Sequence, residues 1–453
     1  MATVTQAYRF ALDPTPAQRR ALASHCGAAR VAHNWGLALV KTRLDQRRTD
    51  PGAQVPWTVP ELRREWNRVK DQVAPWWAEN SKEAYSSGLD GLARALRNWS
   101  DSRSGGRKGR PVGFPQFKKK GRCRDACRFT TGAIKVLADR KHVQLPRIGV
   151  LKTHESTRKL ARRLEQGTAR VLSATISRTA DRWFVSFTVE VERQIPATNG
   201  KTTTIGVDVG IRHLAVLSTG EPPIPNPRAL EQSARRLRRL NRGLARRRPA
   251  SRRRKLARRR LARAHARAAN LRRDALHKLT TTLAKEHATV VVEHLNVAGM
   301  VRNRRIARAL ADTGLAELRR MLAYKTTWYG SRLVVADRFY PSSKTCSACG
   351  WVKAKLTLAE RTFTCEVCGL RLDRDLNAAR NLAKLAQHVA QSGWETPNAR
   401  GADQRTQPAG QAAVKREACD PRGILVSPAP SIRKARPPNR DASIGASAKA
   451  NGS

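Results

Sequence analysis

The chain is expected to be a multidomain protein: an N-terminal helical region, a small β domain, and an α/β domain with partly parallel strands followed by a cysteine block. Three observations predict that class. Apolar residues recur at helical spacing through the first 120 residues, the period switches to two between residues 129 and 194, and short apolar runs alternate with helices from 202 to 389. A length of 453 residues allows about two to four domains, and a 40% hydrophobic content is enough to build their cores.

Thr15-Pro16-Ala17-Gln18 puts a cap residue before a proline at the first helical position, after which Leu22, Cys26, Ala29 and His33 recur on one face. Trp35, Trp57, Trp66, Trp76, Trp77 and Trp99 fall in this region and are expected mostly in the core, with base stacking as the alternative. Residues 102–110 carry Gly105, Gly106 and Gly109 and predict a flexible basic loop. Phe114 and Phe117 follow among prolines and Lys118, Lys119 and Lys120, a pattern that suits single-stranded nucleic acid or a plain basic linker. Residues 169–178 and 183–192 are rich in β-branched and aromatic residues and are joined as a hairpin through residues 179–182. Residues 196–201 form a linker. Beyond them come a β-rich stretch (202–218), two Arg-rich helical stretches broken near Pro249 (229–285), and an apolar run (289–295). A single helix (306–329), a further apolar run (332–336) and a helix over 376–389 complete the order.

Composition narrows the partners. Lys and Arg total 89 against 35 Asp and Glu, a net charge of +54, and a self-repelling charge of this size calls for a polyanion, nucleic acid before an anionic membrane. No apolar run approaches the roughly 18 residues that span a bilayer, and no charged segment followed by an apolar one opens the chain. A cytoplasmic protein is expected. Within Arg252-Arg253-Arg254-Lys255-Leu-Ala-Arg258-Arg259-Arg260 almost nothing compensates the charge, which favours nucleic-acid contact over a solvated face.

Cys346-x-x-Cys349 and Cys365-x-x-Cys368 are two knuckles with fifteen residues between them, the spacing of a tetrathiolate zinc site. Gly350 and Gly369 follow each second cysteine and permit the tight turn. Four sulfurs leave no open position, so one structural Zn2+ is predicted. Cys123 and Cys127 lack a matching pair and are not expected to bind metal.

Acids are scarce, so those in apolar strands need a reason. Asp208 ends an apolar run and Glu293 another, while Asp375 sits at a helix start. Each alone is explained as well by a salt bridge to arginine. Together they suit two Mg2+ ions about 4 Å apart, one activating water and one stabilising the leaving oxygen of a phosphodiester.

Four segments carry a resemblance. Ile205-Gly-Val-Asp-Val-Gly-Ile-Arg-His-Leu-Ala215, Val291-Val-Glu-His-Leu-Asn-Val-Ala-Gly-Met300, Tyr340-Pro-Ser-Ser-Lys-Thr-Cys-Ser-Ala-Cys-Gly350 and Cys368-Gly-Leu-Arg-Leu-Asp-Arg-Asp-Leu-Asn-Ala-Ala-Arg-Asn381 resemble, in order, the motifs of the transposon-encoded TnpB (OrfB) family, which is related to type V CRISPR effectors. The resemblance spans residues 7–385. It implies an RNase H-like (RuvC) nuclease domain over 198–341 and 372–390 with a zinc ribbon (342–371) before its last acidic motif. It also implies a helical recognition lobe (13–121) and a β-barrel wedge domain (1–12 and 122–197); residues 391–453, lacking periodicity, are expected to be a disordered tail. Asp208, Glu293 and Asp375 match the family's acidic positions, with Asp373 as the fallback for the third. His294 stands where an acid is common, and strand alternation turns it away from Glu293.

The implied activity is RNA-guided cleavage of double-stranded DNA beside a short target-adjacent motif, with a guide RNA from the transposon end and a role in transposition or transposon maintenance. Competing expectations are a nuclease-inactive RNA-guided DNA-binding regulator, an accessory transposase protein, and a zinc-ribbon RNA-binding protein, which would leave the buried acids unexplained.

Overall fold

The computed structural model describes residues 2–107, 109–195, 202–357 and 359–392. The chain opens with strand β1 (Ala2–Asp13), whose side chains alternate in burial before three successive buried residues. Helix α1 (Pro16–Thr49) follows, with a capping box between Thr15 and Gln18 and Pro16 in its first turn. The helices α2 (Val59–Val73), capped by Thr58 and Glu61, and α3 (Lys82–Arg103), capped by Ser81, complete the helical region. α1 and α3 approach backbone to backbone: a Cβ on Gly88 would lie 2.1 Å from the carbonyl oxygen of Ala29.

Of the six tryptophans only Trp66 is fully buried, stacked on Tyr85 at 5.2 Å. Trp35, Trp57 and Trp77 are half-buried against the same core, Trp99 packs edge-on against Phe114, and Trp76 is exposed. The core assignment therefore fits five of them, and Trp76 departs from it.

Strands β2 (Ala126–Phe129), β3 (Lys135–Val136), β4 (His142–Leu145) and β5 (Gly149–Thr153) come next, then helix α4 (Arg158–Glu165), then the long hairpin β6 (Ala169–Thr179) and β7 (Arg182–Arg193). All seven strands join one antiparallel sheet in the order β2-β6-β7-β1-β5-β4-β3. The pairing of β1 along β7, from Ala2 opposite Arg193 to Leu12 opposite Trp183, brings the first residues of the chain into a sheet otherwise made more than a hundred residues later. The expectation of uninterrupted β structure from 129 to 194 missed α4. That eight-residue helix buries only Leu160 and Ala161 among arginines, too little apolar periodicity to stand out.

The α/β part begins with β8 (Thr204–Asp208), β9 (His213–Leu217) and β10 (Ile224–Pro225), followed by α5 (Ala229–Gln232), α6 (Ala234–Ala245) and the 35-residue α7 (Arg252–Glu286). Then come β11 (Thr289–Glu293), α8 (Val297–Met300), α9 (Ala307–Thr313), α10 (Leu315–Trp328), β12 (Arg332–Ala336), the small strands β13 (Thr362–Thr364) and β14 (Arg371–Asp373), and α11 (Arg374–Ser392). The single helix expected over 306–329 is in fact two. Gly314 takes φ +75° between α9 and α10, a left-handed turn that ends one helix and starts the next. Residues 196–201 and 393–453, expected as linker and as most of the disordered tail, lie outside the described residues.

The five-stranded sheet has the order β10-β9-β8-β11-β12, with β8, β11 and β12 parallel and β9 and β10 antiparallel to their neighbours. Alternation assigns its two faces. Ile205, Val207, Val290, Val292, Leu333 and Val335 pack towards Leu276, Leu279 and Leu283 of α7 and Leu318, Met321 and Leu322 of α10. Val291, Val334 and Ala336 face the other way, onto Leu382 and Ala386 of α11. Burial on both faces explains the continuous valine runs of these strands.

Candidate metal centres and nucleic-acid interface

Parity along the strands places the carboxylates. Asp208 shares its face with Gly206, and Glu293 shares its face with Val291, which packs under α11. Thr204 to Val207 run beside Thr289 to Val292 in parallel register, so Asp208 and Glu293 occupy the next rung, on adjacent strand ends about 4.8 Å apart in the hydrogen-bonding direction. Glu293 is itself in register with Ala336 of β12. Gly206 lets the helix come this close: a Cβ there would lie 1.9 Å from the carbonyl oxygen of Ala379 and 2.6 Å from the amide nitrogen of Ala383. α11 thus touches the backbone of β8 and carries Asp375, in its first turn, over the same strand ends.

Asp373 has another task. Its carboxylate accepts hydrogen bonds from the backbone N–H groups of Asp375 and Leu376, at 2.9 and 3.1 Å, capping the helix start. Asp375 remains beside Arg374, whose guanidinium lies 3.4 Å from its carboxylate and also donates to the carbonyl of Glu360 at 3.1 Å.

Electrostatics set these acids apart from a structural acid. Buried Asp312 accepts from the backbone N–H groups of Leu230 and Glu231 and lies 3.8 Å from Arg272, which is the ordinary solution for an acid in a core. Among the described residues neither Asp208 nor Glu293 forms an ion pair. Burial pushes Asp208 up to about 8, and the Glu293 and Asp375 carboxylates push the same way against the opposing Arg374 guanidinium. At such a place a nearby cation would favour the charged form that burial and the neighbouring acids disfavour.

At the four cysteines the ligand atoms are already gathered. The Sγ atoms of Cys346, Cys349, Cys365 and Cys368 lie within 4.8 Å of one another, with Cys346 to Cys368 and Cys349 to Cys365 both at 3.6 Å. Sulfurs bound to one zinc at about 2.3 Å would stand about 3.8 Å apart, so the cluster can hold a zinc ion. The knuckles share one pattern: Cys346 N–H donates to Trp351 and Cys365 N–H to Leu370, while Gly350 and Gly369 take φ +81° and +71°. Phe363, fully buried, packs against both halves. Cys127 belongs to the hydrophobic core and Cys123 does not join a metal-binding group among the described residues.

The basic residues divide by use. Arg252, Arg253, Lys255, Arg258, Arg259 and Arg260 are exposed along the first turns of α7. Arg254 is half-buried, and its guanidinium donates to the carbonyl of Leu244 in the last turn of α6 and to that of Arg247 just beyond it, at 3.3 and 2.6 Å. Arg258 also donates to the Gly121 carbonyl at 2.8 Å. Lys119 and Lys120 are exposed, whereas Lys118 is half-buried, its backbone is held by Asn34 at both N–H and C=O, and desolvation lowers its pKa. A concave surface lined by Arg235, Arg236, Arg238, Arg239 and Arg242 on α6 extends the cationic region. No helix among the described residues is long and apolar enough to cross a membrane.

Reasoning from sequence overlooked Arg374, Ser342, Asn377 and Asn381 around the carboxylates. The available signal was two asparagines four residues apart on the inner face of an apolar helix, which hydrophobic periodicity ignores.

Three family profiles match in succession: "Helix-turn-helix domain" of the OrfB/IS605 group over residues 1–49, "Probable transposase" (OrfB, IS605) over 186–304, and "Cas12f1-like, TNB domain" over 316–382. Residues 2–49 fold here as one strand and one helix. A protein of Mycobacterium tuberculosis H37Rv named "Putative RNA-guided DNA endonuclease" is 42% identical over 89% of this chain and 91% of its own length. One of the same name from Streptomyces pristinaespiralis is 35% identical over 86% and 91%. "Putative RNA-guided DNA endonuclease InsQ" of Escherichia coli K12 is 29% identical over 86% and 94%. A solved Cas12f1–sgRNA–target DNA complex aligns over 84% of this chain and 99% of its own at 15% identity and a TM-score of 0.46, a likeness too loose to carry an argument. With relatives this similar along nine-tenths of its length, the chain belongs to the TnpB (OrfB, IS605-type) family.

Proposed function

We propose that this chain is an RNA-guided, Mg2+-dependent DNA endonuclease of a transposable element. It cuts double-stranded DNA beside a short target-adjacent motif under the direction of a guide RNA from the transposon end. The observation that carries this reading is the convergence of Asp208, Glu293 and Asp375 on the α11 face of the five-stranded sheet, where burial and the two neighbouring carboxylates push Asp208 well above the usual aspartate range. The names of the relatives agree with it.

In this reading residues 198–341 and 372–390 form an RNase H-like (RuvC) nuclease domain, supported by a sheet of three antiparallel strands extended by two parallel ones. Residues 342–371 are a zinc ribbon, residues 1–12 with 122–197 the wedge domain, and residues 13–121 the recognition lobe. Asp208, Glu293 and Asp375 would hold two Mg2+ ions, which when bound supply an activated water and charge stabilisation at the leaving oxygen. Arg374 balances the acids before metal arrives and holds Asp375 beside them. The exposed Arg252, Arg253, Lys255, Arg258, Arg259, Arg260, Lys119 and Lys120 contact phosphates, with Arg254 and Lys118 supporting the surfaces that present them. Base pairing by the guide supplies sequence specificity, so the protein mainly needs a cationic channel and few base-reading residues.

The test is to purify the full chain with its RNA, sequence that RNA, and incubate the complex with a matching duplex beside a randomised flank. Mg2+-dependent cleavage is expected. Wild-type protein that binds the target and leaves it uncut in Mg2+ and Mn2+ would make it a regulator instead.

A further inference from the structure

The segment between β12 and the first cysteine knuckle is fastened to the carboxylate face by side chains rather than by packing. Ser342 is only 3% exposed, and its hydroxyl donates to Oε1 of Glu293. Its carbonyl accepts from Nδ2 of Asn381 at 2.7 Å, and the same amide donates to the carbonyl of Thr345 at 2.6 Å. One turn earlier on α11, Asn377 donates to the Thr345 carbonyl at 2.7 Å and accepts from the Ser347 N–H at 2.9 Å. Asn377 and Asn381 are 0% and 3% exposed. The Tyr340 hydroxyl donates to the Asn381 carbonyl at 3.2 Å, and Lys384 donates to Ser347. Thr345 and Ser347 flank Cys346, so these bonds reach the first zinc ligand directly.

The bonds have a direction. Each asparagine uses both ends of a buried amide or two acceptors for one donor, and most of the partners are backbone groups of residues 342–347, whose path is fixed once the knuckle is folded. A buried amide that lost these partners would be left desolvated and unpaired, so the registration of α11 against the knuckle is strongly preferred. Ser342 then extends the fixed path to Glu293 on a different element, 49 residues away in sequence. By donating to one carboxylate oxygen it fixes the carboxylate plane and leaves the other oxygen free.

We propose that Ser342 is a positioning residue for Glu293, and that Asn377 and Asn381 tie it through the first cysteine knuckle to the helix bearing Asp375. The folded cysteine module thereby sets the relative placement of two of the three carboxylates. This rests on the reading of those carboxylates as a divalent-metal site.

The experiment measures Mn2+ binding by electron paramagnetic resonance on the full-length protein freed of RNA in high salt, together with zinc content and melting temperature. Wild type is expected to show a Mn2+ site that Asp208→Ala removes. Ser342→Ala should weaken that site about tenfold, as loss of a partner outside the ligand shell typically does, with one zinc per chain retained, and Ser342→Thr should restore it. Ser342→Cys keeps the volume with a weaker donor and should fall between them, which covers poor folding of the alanine variant. Asn381→Leu should also weaken Mn2+ binding while zinc stays bound. Wild-type affinity in Ser342→Ala, or equal losses in the alanine and threonine variants, overturns the proposal while leaving the metal site standing. Absence of any Mn2+ site sensitive to Asp208→Ala would overturn the nuclease reading and the proposal together.

Discussion

The cysteine cluster and the carboxylate cluster lie on connected elements and hold their side chains in opposite ways. At the cysteines the sulfurs are gathered within bonding reach of a single ion, the two knuckles repeat one hydrogen-bond pattern, and the apolar core of the module is small, Phe363 with Trp351 and Leu370. At the carboxylates the sheet and α11 are held by apolar cores, and burial together with the Glu293 and Asp375 carboxylates disfavours the charged form of Asp208. Under the proposed function the first cluster would depend on zinc for its fold, whereas at the second a bound ion would relieve a cost that the fold has already accepted, the expected difference between a structural and a catalytic centre.

The contrast can be tested from its strongest consequence downward. Asp208→Ala or Glu293→Ala should lower cleavage of a guide-matched duplex by well over a hundredfold, with RNA binding measured by filter retention unchanged; loss of both together would mean the acids hold the fold. Cys365→Ser, or a strong chelator, should release one zinc per chain and open residues 342–371 to proteolysis, because thiolate binding energy in such modules is folding energy. Persistent resistance to protease without zinc would erase the distinction between the two centres.

A third test uses pH. The folded-state pKa of Asp208 lies above its ordinary value of 3.8, at about 8, so the charged form is the disfavoured one. Its stability penalty is absent below about pH 4 and grows as pH rises towards 8. In EDTA, Asp208→Asn should therefore melt close to wild type at pH 4 and progressively higher than wild type up to pH 8. A constant difference across that range would show that the site stores no electrostatic strain. The smallest effect concerns the arginines. Arg260→Gln should reduce the log–log salt slope of duplex binding by about 0.9 if it contacts one phosphate. Arg254→Gln should leave the slope unchanged and instead destabilise the junction of α6 and α7, whose carbonyls it caps.

How much could be read in advance followed the range of each interaction. The cysteine cluster was legible because a knuckle is local: two cysteines three residues apart and a glycine after them define the turn. The valine runs with terminal acids were legible because burial on both faces leaves an unmistakable apolar stretch. The break at Gly314 was hidden inside a continuous helical pattern, since a left-handed residue between two helices changes direction without changing periodicity. The bond from Ser342 to Glu293 and the clasp of Asn377 and Asn381 were invisible, because they join polar side chains to groups 30 to 49 residues away in a register that only the folded sheet defines. That the helix start takes up the Asp373 carboxylate was likewise invisible before the fold was seen.

Gly206 has a consequence for how the enzyme can change. Where α11 crosses β8, main chain meets main chain, so the gap between the helix and the strand cannot be retuned by exchanging one hydrophobic side chain for another. Selection for altered cleavage rates, in nature or in the laboratory, should leave this crossing untouched and accumulate its successful substitutions in the loops and cationic surfaces around it. A single methyl group at position 206 would be the most economical way to make a variant that keeps all three acids and yet cannot bring them together.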